Sequence, residues 1–191
     1  MNVTLLPAVT QLALLEQRKI SPLELADEYI SRIERLNPLL NAIVDFDAEH
    51  VRMQARQVRS GALAGLPLTI KSSIALHGHR CEIGSALNRD KIADHDAEAV
   101  ARLRSNGAVF LGTTNCSELL MAYETDNLLY GRTSNPWDLE RTAGGSSGGE
   151  AAAIAAGCSA ADLLPTAPVG VRESAGSISR GRVVWPTACT G

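Results

Sequence analysis

The residues with the clearest chemical potential lie in one glycine-rich segment, Thr142-Ala-Gly-Gly-Ser-Ser-Gly-Gly-Glu150. Four glycines surround Ser146 and Ser147, and the Ala-rich stretch that runs from Glu150 to Ala156 predicts a helix directly after them. A tight turn of this kind exposes backbone N–H groups and two hydroxyls at the start of a helix. The segment could therefore bind an anion or present serine hydroxyls for chemistry.

Two simpler interpretations of this segment fit less well. A phosphate-binding loop would need the lysine of GxxxxGK[ST] or the spacing of GxGxxG, and the segment has neither. A flexible linker is disfavoured because Asn135-Pro136-Trp137-Asp138 precedes the segment and a predicted helix follows it.

A single lysine in an apolar run is the second candidate for chemistry. The run from Leu66 to Ile74 follows Gly65 and predicts a buried strand with Lys71 at or near its end. Burial disfavours the charged form of a lysine and lowers its pKa, so a lysine in this place can act as a base. For Lys71 alone, pairing with a carboxylate at the strand end is the simpler interpretation. Catalysis is favoured once Lys71 and Ser146 are considered together.

A metal site would be the alternative chemistry for His77 and His79, with Cys81 as a third ligand. These residues follow the predicted strand in a glycine-containing loop, so we interpret the histidines as exposed loop residues and predict no metal and no cofactor. The cysteines show no CxxC pair and are predicted to be free thiols. They are Cys81, Cys116, Cys158 and Cys189.

The elements that must position these residues are predicted to be mixed α/β. Ser21-Pro22-Leu23-Glu24 is a capping box that begins a helix, and Asn37-Pro38 is predicted to end it. Residues 47–59 predict a second, more polar helix. A helix beginning at His95-Asp96 and a strand over 108–113 then follow the strand of Lys71. This succession indicates a βαβ unit and a largely parallel sheet.

One domain is expected over residues 1–162, with a helical arm at about 1–60 and an α/β core from about residue 65. After Asp162 the sequence contains Pro165 and Pro168 close together, and residues 163–191 are expected to form an irregular tail.

Composition excludes several classes of protein. Of 191 residues, 45% are hydrophobic and 20% charged, which is typical of a globular chain. A net charge of −3 provides no basic field for nucleic acid, so no nucleic-acid partner is expected. Neither a run of about 18 apolar residues nor a basic signal-peptide region is seen, so we expect a cytoplasmic protein without a membrane partner.

Three collinear segments resemble the amidase signature family. Ser134–Gly157 resembles the glycine–serine segment of the family, Gly65–Lys71 the strand that carries its catalytic lysine, and Gly107–Glu118 the stretch that follows. The resemblance covers roughly residues 20–160 in the order and spacing of the family.

The resemblance implies hydrolysis of a small-molecule carboxamide by a Ser–cis-Ser–Lys triad, without a cofactor. Lys71 would be the base and Ser146 the cis-serine that relays a proton. Ser147 and four glycines would support the loop and the substrate: Gly144, Gly145, Gly148 and Gly149. The implied fold is a mixed, largely parallel sheet flanked by helices and incomplete at its C-terminus.

The position of the nucleophile departs from the family pattern. The resemblance implies a serine about two dozen residues after Ser146, but that register holds Gly170, which has no nucleophilic side chain. Pro168 also lacks an N–H group where the family builds its oxyanion hole. We therefore expect this chain to be catalytically defective. Three serines lie nearby but off register: Ser174, Ser177 and Ser179.

Several alternatives stay open at this point. If the codons of residues 164–169 were read one base earlier, between two small compensating insertions or deletions in the gene, they could encode Thr-Asp-Ser-Ala-Gly. Family members continue well beyond residue 191, so the chain is interpreted as the N-terminal part of an amidase. A non-catalytic remnant or interaction protein is one alternative function. Another is part of the glutamine-hydrolysing subunit of a glutamine-dependent amidotransferase, which would work with partner chains.

Overall fold

The computed structural model describes residues 2–163, which form a small sheet between helices. Within this part of the chain the helices are α1 Ala8–Glu16, α2 Pro22–Leu40, α3 Ala48–Gln57, α4 Glu98–Ser105 and α5 Gly148–Ala155. The strands are β1 Ile43–Asp45, β2 Pro67–Lys71, β3 Val109–Thr114, β4 Ser134–Asn135, β5 Asp138–Thr142 and β6 Asp162–Leu163. No described helix has both the length and the apolar character needed to cross a membrane.

The main sheet has the strand order β1-β3-β2-β6. Strand β2 is parallel to both β3 and β6, whereas β1 is antiparallel to β3. All five residues of β2 are buried, as is typical of a strand covered on both faces. The prediction of a mixed, largely parallel sheet flanked by helices is therefore confirmed.

The two faces of the sheet bury different helices. Leu68 and Ile70 of β2 and Phe110 of β3 pack in one cluster with Val100 of α4. The opposite face carries a larger cluster, to which α2, α3, α5 and residues of β1 and β3 contribute. Since successive strand residues face opposite sides, Lys71 lies on the face opposite Ile70, the side on which α5 packs.

A β-bulge in β3 changes which residues of this strand lie on the face of the sheet that packs against α5. Leu68 pairs with Phe110, but Thr69 pairs with Gly112, so that one residue of β3 is left over. Gly112 has φ +141°, and a Cβ atom there would lie 2.0 Å from the Asp45 carbonyl oxygen. Beyond the bulge Thr114 is the register partner of Lys71 and lies on the same face of the sheet.

The start of α2 follows its local sequence. The Ser21 hydroxyl accepts from the Glu24 N–H at 3.2 Å, and the Ser21 N–H donates to the Glu24 carboxylate at 2.8 Å. Both halves of the predicted capping box are therefore present. This interaction also lowers the pKa of Glu24, because the Ser21 N–H stabilises the ionised carboxylate.

Two predicted helix boundaries are wrong. Helix α2 continues through Pro38 to Leu40, because a proline in the last turn removes only one backbone hydrogen bond. Helix α4 begins at Glu98 rather than at His95-Asp96. The Asp96 carboxylate accepts hydrogen bonds from Arg104 and from the His77 N–H instead of capping the helix.

The predicted irregular tail lies outside the described residues from position 164 onward. The same is true of Gly170, Pro168 and the three nearby serines.

Candidate active site

The glycine-rich turn joins β5 to α5, and hydrogen bonds to Ser117 and Thr125 hold it in place. The peptide bond between Gly145 and Ser146 is cis. The Ser117 N–H donates to the Ser146 carbonyl oxygen at 3.3 Å, and the Gly148 N–H donates to Thr125 Oγ1 at 2.8 Å. These bonds fix the two serines at the N-terminal end of α5.

Close packing requires glycine at three positions of the turn, since a Cβ atom on Gly145 would lie 2.8 Å from the backbone carbonyl carbon of Glu124. A Cβ atom on Gly148 would lie 2.6 Å from Thr125 Oγ1, and one on Gly149 would lie 2.4 Å from the carbonyl oxygen of Asn115. All three distances are well below van der Waals contact. Gly144 and Gly145 precede them in the same turn, so all four predicted glycines lie around the serines.

Lys71 ends strand β2 and reaches both serines. Its Nζ atom donates to Ser146 Oγ at 2.9 Å and to Ser147 Oγ at 2.7 Å. Only 2% of the lysine is exposed, and burial lowers its pKa. The charges of Cys116 and Glu150 act in the opposite direction. The arrangement therefore places a lysine that loses its proton more readily than usual beside two hydroxyls, which is a geometry suited to proton transfer.

Glu150 is a site residue that was not predicted from the sequence. Its side chain is completely buried, and its two oxygens accept hydrogen bonds from Thr69 Oγ1 and Thr114 Oγ1, each at 2.7 Å. The sequence did contain one indication of its importance, because Glu150 is an ionisable residue at the start of an otherwise Ala-rich helix that follows a glycine turn. Its partners could not be read from local sequence, since they lie on two different strands.

Cys116 is a second buried group near the lysine that the sequence analysis did not select. Its Sγ atom lies 3.3 Å from Ser72 Oγ, and burial raises the pKa of the thiol. A raised pKa favours the protonated thiol, so the electrostatics of this position do not favour a thiolate nucleophile.

The histidines that follow β2 separate into two environments. His77 is exposed, but His79 is buried, so the interpretation of both as exposed loop residues is wrong for His79. The His79 Nδ1 atom lies 3.3 Å from Asp45 Oδ2, and its ring meets the ring of His50 edge-on. The loop folds back over β1, and this contact buries the second histidine.

Comparisons with known proteins identify a consistent set of relatives. A sequence model described as Amidase matches residues 24–163. Fatty-acid amide hydrolase 2 of Homo sapiens is 41% identical over 161 residues, which are 76% of this chain and 30% of that protein. A glutamyl-tRNA(Gln) amidotransferase subunit of Syntrophobacter fumaroxidans is 41% identical over 75% of this chain and 31% of its own length.

Solved structures agree with these sequences. A structure of 6-aminohexanoate cyclic dimer hydrolase has a TM-score of 0.77 and 34% identity, covering 82% of this chain and 33% of that one. A bacterial aryl acylamidase of the amidase signature family has a TM-score of 0.74 and 30% identity, covering 81% and 34% of the two chains. The chain spans about a third of the length of the relatives it matches.

Proposed function

Because this chain belongs to the amidase signature family, we propose that Lys71 and Ser146 are the base and the proton-relay serine of a carboxamide-hydrolysing site. The observation that carries the proposal is the contact of 2.9 Å between Lys71 Nζ and Ser146 Oγ. Burial of the lysine supports it, since a base must be able to exist in its neutral form.

In the proposed reaction Lys71 accepts a proton and later returns it, and Ser146 transfers that proton in both directions. Lys71 Nζ takes the proton of Ser146 Oγ, and Ser146 takes the proton of the attacking hydroxyl. The attacking oxygen bonds to the amide carbonyl carbon, and the C–N bond breaks. The stored proton returns through Ser146 to the departing amine. Water then attacks the acyl intermediate along the same route and releases the acid.

Ser147 would hold the base in position during these transfers. Its hydroxyl is 2.7 Å from Lys71 Nζ, slightly closer than that of Ser146, and it is more deeply buried. A hydroxyl of this kind fixes the direction of the lysine side chain. Ser146, which is partly exposed, is then the hydroxyl that can face a substrate.

The attacking hydroxyl is the part that this sequence does not supply in the expected register. Gly170 stands there, and Pro168 cannot donate an N–H group to a developing oxyanion. Loss of the nucleophile of a serine triad costs on the order of 10⁶ in rate, and loss of one oxyanion donor on the order of 10²–10³. We therefore propose that the chain has no measurable amide turnover. Gly170 also favours a second candidate, a non-catalytic interaction role.

The test uses amides that reflect the range of the relatives: a short aliphatic amide, a fatty-acid amide and an aryl acylamide. Released ammonia or arylamine is measured, and a serine-directed fluorophosphonate reports any activated hydroxyl. The proposal expects neither product nor label. Turnover or labelling that disappears in Lys71→Ala would contradict the proposed inactivity, although not the role of Lys71, because another serine would then act as the nucleophile.

The two candidates are separated by a binding measurement. Stable co-purification with a second protein, in both the native chain and Lys71→Ala, would support the interaction role. An isolated chain that gains amide turnover when Gly170→Ser and Pro168→Ala are combined would instead show that the site lacks only these local groups.

A further inference from the structure

The chain contains two Ser-x-x-Glu segments at helix starts, and they behave differently. Ser21–Glu24 forms a complete capping box at α2. Ser147–Glu150 has the same pattern at α5, but Ser147 makes no side-chain capping hydrogen bond. Its hydroxyl accepts from Lys71 Nζ instead. In this second pattern the serine, which would normally stabilise the start of the helix, therefore bonds the lysine of the candidate site instead.

Glu150, the last residue of the second pattern, connects α5 to strands β2 and β3 close to Lys71. Thr69, which donates to its carboxylate, lies on β2 two residues before Lys71. Thr114, the second donor, is the register partner of Lys71 on β3. One carboxylate on α5 thus joins the strand that carries the lysine and the strand beside it to the helix whose first turn carries the serines.

Packing alone does not require a carboxylate at this position. Burying an ionised carboxylate is destabilising unless donors surround it, and apolar groups of similar size often stabilise a core at least as well. Two hydroxyl donors and the N-terminal end of α5 offset this cost for Glu150. The bulge at Gly112 contributes to the arrangement, because it places Thr114 on the face of the sheet that Glu150 meets.

We propose that Glu150 is a positioning residue: by accepting hydrogen bonds from Thr69 of β2 and Thr114 of β3, it holds the Ser146–Ser147 turn of α5 against Lys71 and thereby affects how readily the lysine gives up its proton. The inference rests on the proposed role of Lys71 as the base.

The charge of Glu150 has a separate consequence for proton transfer. Burial lowers the pKa of Lys71, whereas the charges of Cys116 and of Glu150 raise it, so Glu150 is one of two groups that oppose the effect of burial. A base works best when its pKa is close to the operating pH. The proton affinity of Lys71 should therefore depend on Glu150 as well as on burial.

The experiment follows the lysine directly. The chain has three lysines, Lys19, Lys71 and Lys91, so [¹³C]lysine labelling gives three sets of side-chain signals. The Lys71 signal is assigned by its loss in Lys71→Arg. In Glu150→Gln, which keeps the shape and removes the charge, we expect the titration midpoint of Lys71 to move to lower pH by more than the scatter of repeat titrations.

The matched control is Glu24→Gln, which makes the same change in the same sequence pattern at α2. It should lower the stability of the helix start and leave the Lys71 midpoint unchanged. An unchanged midpoint in folded Glu150→Gln would overturn the proposal, even if that variant lost stability, because Glu150 would then be structural only.

A second variant keeps the proposal testable if Glu150→Gln does not fold. Thr114→Val removes one donor from the carboxylate and so weakens its hold on the turn, and we expect the Lys71 midpoint to rise toward 10.5 because the lysine is then less tightly buried. No change there would overturn the role of Glu150. The proposed function is tested separately on the native chain, where a Lys71 midpoint at or above 10.5 would contradict it. The role of Glu150 is tested by the difference in midpoint between the native chain and the variants.

Discussion

Lys71 Nζ and Ser146 Oγ lie 2.9 Å apart, although the two residues are separated by 75 positions in the chain. The contact exists because β2 ends where the first turn of α5 begins. The lysine is buried there with two hydroxyls as partners. Its burial has consequences for stability as well as for chemistry, and both can be measured.

The stability of the protein should depend on pH through Lys71. An unfolded lysine keeps its proton up to about its ordinary pKa of 10.5, whereas the lowered pKa in the folded state means that the native protein releases the proton earlier. Between the two values the unfolded state binds more protons, so the free energy of unfolding rises with pH, by about 1.4 kcal/mol for each unit of difference. Urea unfolding at several pH values between 7 and 10.5 measures this rise.

Lys71→Met should remove this contribution. Tyrosines and cysteines also titrate in this range, so the difference between the native and variant profiles isolates the lysine. Lys19→Met, at an exposed position, is the control for loss of one positive charge. Parallel profiles for the native chain and Lys71→Met would contradict the lowered pKa.

Gly149→Ala should be strongly destabilising. The new Cβ atom would lie 2.4 Å from the Asn115 carbonyl oxygen, and the first turn of α5 would have to move away from it. We expect a loss of about 3 kcal/mol, the upper end of what overpacking normally costs. Thermal and urea unfolding measure the loss.

Gly78→Ala is the matched control for that substitution. Gly78 has a positive φ of 81°, but no atom lies within 4 Å of its Cβ position. Backbone strain alone should cost about 1–2 kcal/mol there. A smaller loss at Gly149 than at Gly78 would show that the turn is less tightly packed than its distances indicate.

Ser21→Ala should remove the capping box of α2. The Glu24 N–H would lose its side-chain acceptor, and the expected loss is about 1 kcal/mol of the free energy of unfolding. Ser60→Ala, at an exposed position outside the helices, should change stability by less than about 0.5 kcal/mol. Equal effects of the two substitutions would argue against the cap as a source of stability.

Local patterns predicted four of the helices (α2, α3, α4 and α5) and two of the strands (β2 and β3), but not the other described elements or how the elements meet. The buried strand that ends at Lys71 and the capping box at Ser21 follow from residues close together in sequence. Glu150 could not be placed in the same way, because its donors lie on two strands and one of them is turned toward it by a bulge. The burial of His79 likewise depends on a loop that returns to Asp45, a contact across 34 positions with no local signature.

The proposed function requires that burial keep Lys71 available in its neutral form, so that the lysine can act as a base. The most direct test is the ¹³C titration of its side chain in the native protein, with the signals of the exposed Lys19 and Lys91 recorded in the same sample. Because burial lowers the pKa of Lys71, we expect its midpoint to lie below 10.5, the ordinary value for lysine. A midpoint at or above that value would contradict the proposed function, since the lysine would then remain an ammonium group that cannot accept a proton from Ser146.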